Sequence, residues 1–298
     1  MNNAIPTLLL VFITAVWGVS FVLVKDSLAT YGVVTFLALR FTIGAALMGA
    51  ISARKVTRST LGGGAALGLA MAGIFLAQTF GLRYTTVTNS GLITGLFVVF
   101  APLANRVMFG VRTTWPAWSA IGVSMVGLAL LTGSGPDRFN FGDFLTLLCA
   151  VCIGVYIALL DRIAKHHDAG ALAFTQVLVV ALVCFACRTT EPWAWPTRNV
   201  WFALLITGTI STAAGTYVQT YVQQRLSAVR VTVIVALTPV FAALFGYLLA
   251  GDRLTAVQAA GGILMIAAVM MVEVVGREQK RSLRQPVEPA TPTVQPTD

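Results

Sequence analysis

Residues 78–114 read QTFGLRYTTVTNSGLITGLFVVFAPLANRVMFGVRTT, and residues 219–255 read QTYVQQRLSAVRVTVIVALTPVFAALFGYLLAGDRLT. Laid side by side without a gap, Gln78, Thr79 and Phe80 meet Gln219, Thr220 and Tyr221. Ile93, Leu96, Val99, Phe100 and Leu103 then meet Ile234, Leu237, Val240, Phe241 and Leu244. Both stretches close on a turn, Gly110-x-Arg112-x-Thr114 in one and Gly251-x-Arg253-x-Thr255 in the other. Apolar stretches match one another easily, but polar matches held in one register point to a duplicated unit. Each copy also holds a run free of Lys, Arg, Asp and Glu, residues 84–105 in the first and 231–251 in the second. Runs of roughly 17–25 apolar residues are the length of a bilayer crossing.

The rest of the chain has the same character. Of 298 residues, 57% are hydrophobic and only 10% charged, and the mean hydropathy is +0.83. A soluble domain carries about 25% charged residues. So few charges cannot coat a surface that faces water, and in lipid the backbone must satisfy its own hydrogen bonds. The runs are long and do not alternate, which selects helices over barrel strands. Ten helices are expected, at about 5–24, 32–53, 61–81, 86–107, 115–133, 142–160, 170–187, 200–222, 230–250 and 255–275. The first is kept as a helix, because residues 1–4 hold no Lys or Arg and the run is too long for a signal peptide. The longest connection, 188–199, carries Trp193 and Trp195 at the expected headgroup level.

With the N-terminus inside, the cytoplasmic connections receive thirteen Lys and Arg and the outer ones six. The expectation is a multi-pass bacterial inner-membrane protein with both termini cytoplasmic. The formal net charge of +9 is then a topology signal and calls for no nucleic-acid partner.

Outside the opening match the register loosens. Gly18-Val19 meets Gly154-Val155 at an offset shorter by five residues, a difference the 188–199 loop absorbs. The chain divides into a first repeat at 1–136, a second at 137–276, and a basic, Pro-rich tail at 277–298 that reads as disordered and cytoplasmic. Five helices per repeat is an odd number, so the second copy enters the membrane upside down. The expected fold is an all-α integral membrane protein, ten transmembrane helices arranged as two inverted five-helix repeats around a central cavity.

Trp17-Gly18-Val19-Ser20-Phe21-Val22, Leu39-Arg40-Phe41, the two Gly-x-Arg turns, Tyr84 to Asn89, and Thr238-Pro239-Val240-Phe241 together resemble the EamA-type transporters of the drug/metabolite transporter superfamily. The resemblance covers roughly residues 5–276. It implies a ten-helix carrier with a central cavity that exports amino acids or related metabolites. One departure is visible: Gly110-Val111-Arg112 lacks the acidic residue that Gly251-Asp252-Arg253 carries.

Polar groups within the spans are the candidate functional residues. Arg40 is an anion contact, or else an arginine that snorkels outward. Gln78 and Gln219 are repeat mates placed as polar latches, or plain interhelical hydrogen-bonding groups. Trp17 and Tyr156 offer faces for stacking on a flat or cationic substrate, or else core packing. Asn89 and Ser90 open the fourth helix as caps or vestibule groups. Thr216 and Tyr217 are similar candidates on the eighth. Pro239 frees the carbonyl of Val235 and makes a hinge. Gly110 and Gly251 read as helix C-caps, with Thr114 and Thr255 as N-caps.

Other chemistries find little footing. The pairs Cys149/Cys152 and Cys184/Cys187 lie on two apolar helices and read as small filler, not a metal site. His166 and His167 read as solvated loop residues. Asp143 and Glu273 are the deepest carboxylates and sit near helix ends, which argues against a buried-carboxylate proton cycle. No intramembrane catalytic cluster or cofactor motif is evident, so an embedded enzyme is disfavoured. A passive facilitator or channel and a lipid scramblase remain as alternatives. The expected partners are the bilayer and one small molecule. A cavity of amides and aromatics with one Arg suits a neutral or zwitterionic metabolite better than a polyanion.

Overall fold

A computed structural model describes residues 4–28, 30–81, 84, 93–132, 140–188, 194–249 and 255–282. Asn89, Ser90, Trp193, the Gly251-Asp252-Arg253 turn and the tail from 283 onward lie outside the described residues. Among the described residues there are helices and turns and no strand. The helices are α1 (Ala4–Leu28), α2 (Val33–Ser52), α3 (Arg58–Gly81), α4 (Phe97–Phe109), α5 (Trp115–Thr132), α6 (Phe141–Ile163) and α7 (Ala169–Cys187). Then come α8 (Arg198–Gln223), α9 (Ala228–Val235), α10 (Thr238–Leu249) and α11 (Ala256–Ser282). Five helical stretches are long and apolar enough to cross a membrane: Val33–Lys55, Arg58–Gly81, Phe141–His166, Ala169–Cys187 and Arg198–Gln223. Shorter apolar helical stretches run over Ala4–Ser20, Ile93–Phe109, Trp115–Leu130, Ala228–Phe241 and Ala256–Met271.

The helix ends follow from local chemistry. Asn140 and Asp143 form a capping box at the start of α6: the Asn140 side chain accepts from the Asp143 backbone N–H at 3.1 Å, and the Asp143 carboxylate accepts in return at 3.0 Å. Asp143 is thus a cap, and its carboxylate is committed to holding a helix end. Gly110 ends α4 with φ +67°, the left-handed turn that Gly enters without penalty. Thr255 and Gln258 cap each other ahead of α11, as expected for Thr255.

Asp168 starts α7, accepting from the backbone N–H groups of Gly170 and Ala171, each at 3.0 Å. Those N–H groups, the Ala171 bond first, and the Lys55 ammonium at 3.3 Å hold its carboxyl below the ordinary carboxylate value against a smaller desolvation effect. A depressed folded-state pKa contributes stability above the unfolded pKa and loses it as pH falls through the folded one. Asp168→Ala should therefore cost about 0.5–2 kcal/mol at neutral pH. The gap to wild type should close below about pH 4, where the unfolded-state carboxyl titrates. Chemical unfolding in detergent at neutral and acid pH measures this; a pH-independent gap contradicts it.

Three expectations need correction. The eighth helix is not regular: its middle, Thr207–Ala214, is π-helical. The ninth is two helices, α9 and α10, separated at Ala236 and Leu237. Pro239 lacks the N–H that would bond Val235, and the Thr238 hydroxyl takes that carbonyl instead at 2.6 Å. The last helix does not stop at Gly276. It runs to Ser282, so the opening of the expected disordered tail is helical, in keeping with helix-forming Arg, Glu, Gln and Lys residues there.

The helices pack in matched pairs. α2 lies on α7 and α5 on α11. α3 packs on α6 as α8 packs on α1; α4 packs on α6 as α9 and α10 pack on α1; and α3 packs on α7 as α8 packs on α2. One large apolar core joins these contacts, with Leu10, Leu37, Phe41, Leu67, Leu128, Ile157, Leu172 and Ile234 among its buried residues.

Candidate functional site

The π segment of α8 is built from Thr207-Gly-Thr-Ile-Ser-Thr-Ala-Ala214, a run of small and hydroxyl-bearing residues. A π turn widens the helix and leaves backbone groups available to side chains, and such turns occur often at functional sites. Here the Ser211 carbonyl accepts the indole N–H of Trp17 at 2.9 Å. Arg40 Nε donates to Thr212 Oγ1 at 2.8 Å, and Arg40 Nη2 to Ser211 Oγ at 3.1 Å. Trp17 from α1 and Arg40 from α2 thus converge on one turn of α8.

Close approach explains two glycines there. A Cβ on Gly215 would lie 2.8 Å from the Trp17 indole nitrogen, and one on Gly208 would lie 3.0 Å from the Arg40 carbonyl oxygen.

Arg40 does not snorkel. It is 7% exposed, and its guanidinium lies 5.3 Å from the Phe75 ring centroid and 5.7 Å from that of Phe41. Phe41 and Phe75 meet edge to face at 4.8 Å. Among the described residues no carboxylate lies within ion-pair distance of Arg40. Two hydroxyls and two ring faces solvate it, so among the described residues a buried cation stands in the span without a counter-charge. Removing such a charge from water costs several kcal/mol unless a partner offsets it.

The other candidates separate into three groups. The Tyr156 hydroxyl donates to Gln176 Oε1 at 2.9 Å, and the Gln176 amide donates to the Leu172 carbonyl at 3.1 Å and to Thr220 Oγ1 at 3.5 Å. Tyr156 is therefore a tie between α6, α7 and α8. Gln219, beside Thr220, is 7% exposed, and Gln78 is half-buried; neither makes a hydrogen bond among the described residues.

Tyr217 faces elsewhere. It lines a groove of about 570 Å³ that includes none of Trp17, Arg40, Gln78, Tyr156 or Gln219. His167, expected to be simply solvated, also lines that groove and lies 3.4 Å from the Thr60 hydroxyl.

Ser211, Thr212, Gln176 and Thr220 are polar partners the sequence reading passed over. The signal for the first two was the density of hydroxyl residues within one span, Thr207, Thr209, Ser211, Thr212 and Thr216.

A bundle of apolar helices with a buried arginine and indole gathered on an irregular turn defines a polytopic membrane protein with a polar point inside its spans. Residues 5–133 and again 140–274 match the EamA-like transporter family, so the chain belongs to that family and is a membrane transporter of EamA type. It is 30% identical to an uncharacterized transporter of Archaeoglobus fulgidus, over 88% of this chain and 84% of that one. It is 24% identical to a probable terminal-alkyne amino-acid exporter of Streptantibioticus cattleyicolor, over 98% of both. A solved protein structure superposes with a TM-score of 0.78, covering 94% of this chain and all of the other at 18% identity, a likeness of fold.

Proposed function

We propose that the chain is a secondary carrier exporting an amino acid or a related zwitterion across the bacterial inner membrane, working by alternating access. The observation that carries this reading is the buried, uncompensated Arg40. A substrate carboxylate is the counter-charge the site lacks, and charge-assisted bonds to Arg are the strong ones. Trp17, on α1, is hydrogen-bonded to the same turn of α8 and supplies a flat apolar wall. Gln219 and Gln78 keep unspent amides for the polar end of the substrate.

The ten-span, inverted two-repeat arrangement belongs to the same proposal, with repeats at 1–136 and 137–276 and both termini cytoplasmic. It is supported by the family matching twice along the chain and by the matched helix pairs. Leu96 and Leu237, equivalent in the repeat, are also both turns that interrupt a helix. The π segment and the α9–α10 break are the points where α8 and its neighbours can bend to expose Arg40. The named relative from Streptantibioticus cattleyicolor is in keeping with an amino-acid cargo.

The test is counterflow in proteoliposomes loaded with a mixed amino-acid pool. Accelerated uptake of one or a few labelled species is expected. Gln219→Ala should lower that flux about 3- to 10-fold with protein still in the membrane, the loss of one hydrogen bond of about 1 kcal/mol. No counterflow with any amino acid from well-folded protein contradicts the carrier reading.

A further inference from the structure

The groove that holds Tyr217 is not part of the Arg40 site, and its lining has two distinct halves. One wall is apolar and faces out of the protein: Leu47 and Ile51 on α2 are 41% and 72% exposed, and Tyr217 on α8 is 41% exposed. Met48 and Ala213 close its floor and belong to a small buried cluster with Ala173. At the other end stand charged groups, Lys55, Asp168, His167 and Arg225.

Lys55 and Asp168 pair with each other at 3.3 Å, so they largely cancel. Arg225 meets no carboxylate among the described residues. Its guanidinium lies 3.5 Å from the Tyr221 ring centroid and donates to the Tyr221 carbonyl at 2.8 Å and to Gln224 Oε1 at 3.2 Å. Tyr221 stacks in turn on Tyr217 at 6.2 Å. The result is a slot with an apolar, outward wall along the spans and a fixed, unpaired cation where the spans end.

We infer that this groove binds one anionic phospholipid, its phosphate at Arg225 and an acyl chain along Leu47, Ile51 and Tyr217. The match is one of charge and polarity on the same molecule. A basic site at the end of transmembrane helices suits an anionic headgroup. Tyr rings with one apolar and one polar end suit the headgroup level. A zwitterionic lipid brings its own ammonium and gains less at Arg225. The volume of about 570 Å³ falls within the range of small-molecule sites. The slot runs along the π segment through Thr209, Ala213 and Ala214, so a bound lipid would bear on the same turn of α8 that holds Trp17 and Arg40.

Native mass spectrometry of the full-length protein in mild detergent tests this, with phosphatidylglycerol and phosphatidylcholine of the same chain length added in turn. One retained phosphatidylglycerol is expected, at several-fold higher occupancy than phosphatidylcholine. Glycerol 3-phosphate, the headgroup without its chains, should not be retained; its retention would make this a soluble-anion site and overturn the lipid assignment.

Arg225→Gln should weaken phosphatidylglycerol binding about 5-fold, the effect of one basic residue near an anionic surface. Arg225→Lys should restore most of it, and Arg58→Gln, an exposed cation outside the groove, should change nothing. Ala214→Trp, which fills the slot without altering charge, should also displace the lipid. This second variant keeps the test open if Arg225→Gln folds poorly. Equal retention of the two lipids, or full retention in both Arg225→Gln and Ala214→Trp, overturns the inference. Lipid retention is read without any transport assay, so it stands or falls apart from the carrier reading.

Discussion

Arg40→Gln should lower counterflow of the transported amino acid about 10- to 100-fold, while the purified protein stays monodisperse and membrane-inserted. Glutamine can still donate to Thr212 Oγ1 or Ser211 Oγ, the two hydroxyls that Arg40 reaches at 2.8 and 3.1 Å. What it cannot supply is the positive charge. A hydrogen bond to a charged group is worth about 1.5–3 kcal/mol, which sets the expected fold-loss. The discriminating measurement is substrate choice. Wild-type protein should be inhibited by the free amino acid far better than by its amide, which lacks the carboxylate. Arg40→Gln should lose that preference. Arg40→Lys should recover part of it, since the charge returns without the planar fork. If the variant keeps both its flux and its preference for the carboxylate, Arg40 is a structural tether for the π turn and the zwitterion reading fails.

The sequence carried the all-helical membrane class because long apolar runs speak directly to it. Ends marked by caps, such as Gly110 and Thr255, were legible for the same reason: the chemistry of a helix end needs particular residues. The interior of α8 was not. α and π turns differ only in which carbonyl each N–H selects, and a run of Thr, Gly, Ser and Ala accepts either. Ser211 and Thr212 therefore looked like ordinary small residues until Trp17 and Arg40 were seen to converge on them. Tyr156 stood between stacking on a substrate and core packing. It is buried, and its hydroxyl is spent on Gln176, a partner that its position in the sequence did not indicate. Tyr217 differs in direction: four residues along α8 from Ala213, it lines the outward groove. Depth is readable from position in a span, whereas the face a residue presents depends on neighbours that the sequence places only loosely.

Gly154→Val should destabilise the protein by about 1–3 kcal/mol, the range for overpacking a filled interior. α4 crosses α6 at this glycine, where an added Cβ would lie 2.7 Å from the Phe100 carbonyl carbon and 2.9 Å from the Ala101 nitrogen. Those are backbone atoms, so no rotamer change makes room; the two helices must separate. The control is Gly122→Val on α5, where an added Cβ meets nothing within 4 Å. The same chemical change there should stay within about 0.5 kcal/mol, as a substitution away from packing usually does. Chemical unfolding in detergent, followed by Trp fluorescence, compares the two. Equal losses would mean that glycine acts through the unfolded chain and that the crossing is not tight. The proposed duplication carries over to the other half. In it Gly18 is the mate of Gly154, and α1 packs on α9 and α10 as α6 packs on α4. If the halves descend from one unit, Gly18→Val should cost as much as Gly154→Val. A harmless Gly18→Val beside a damaging Gly154→Val would show that the two crossings have diverged in packing even where their residues still agree.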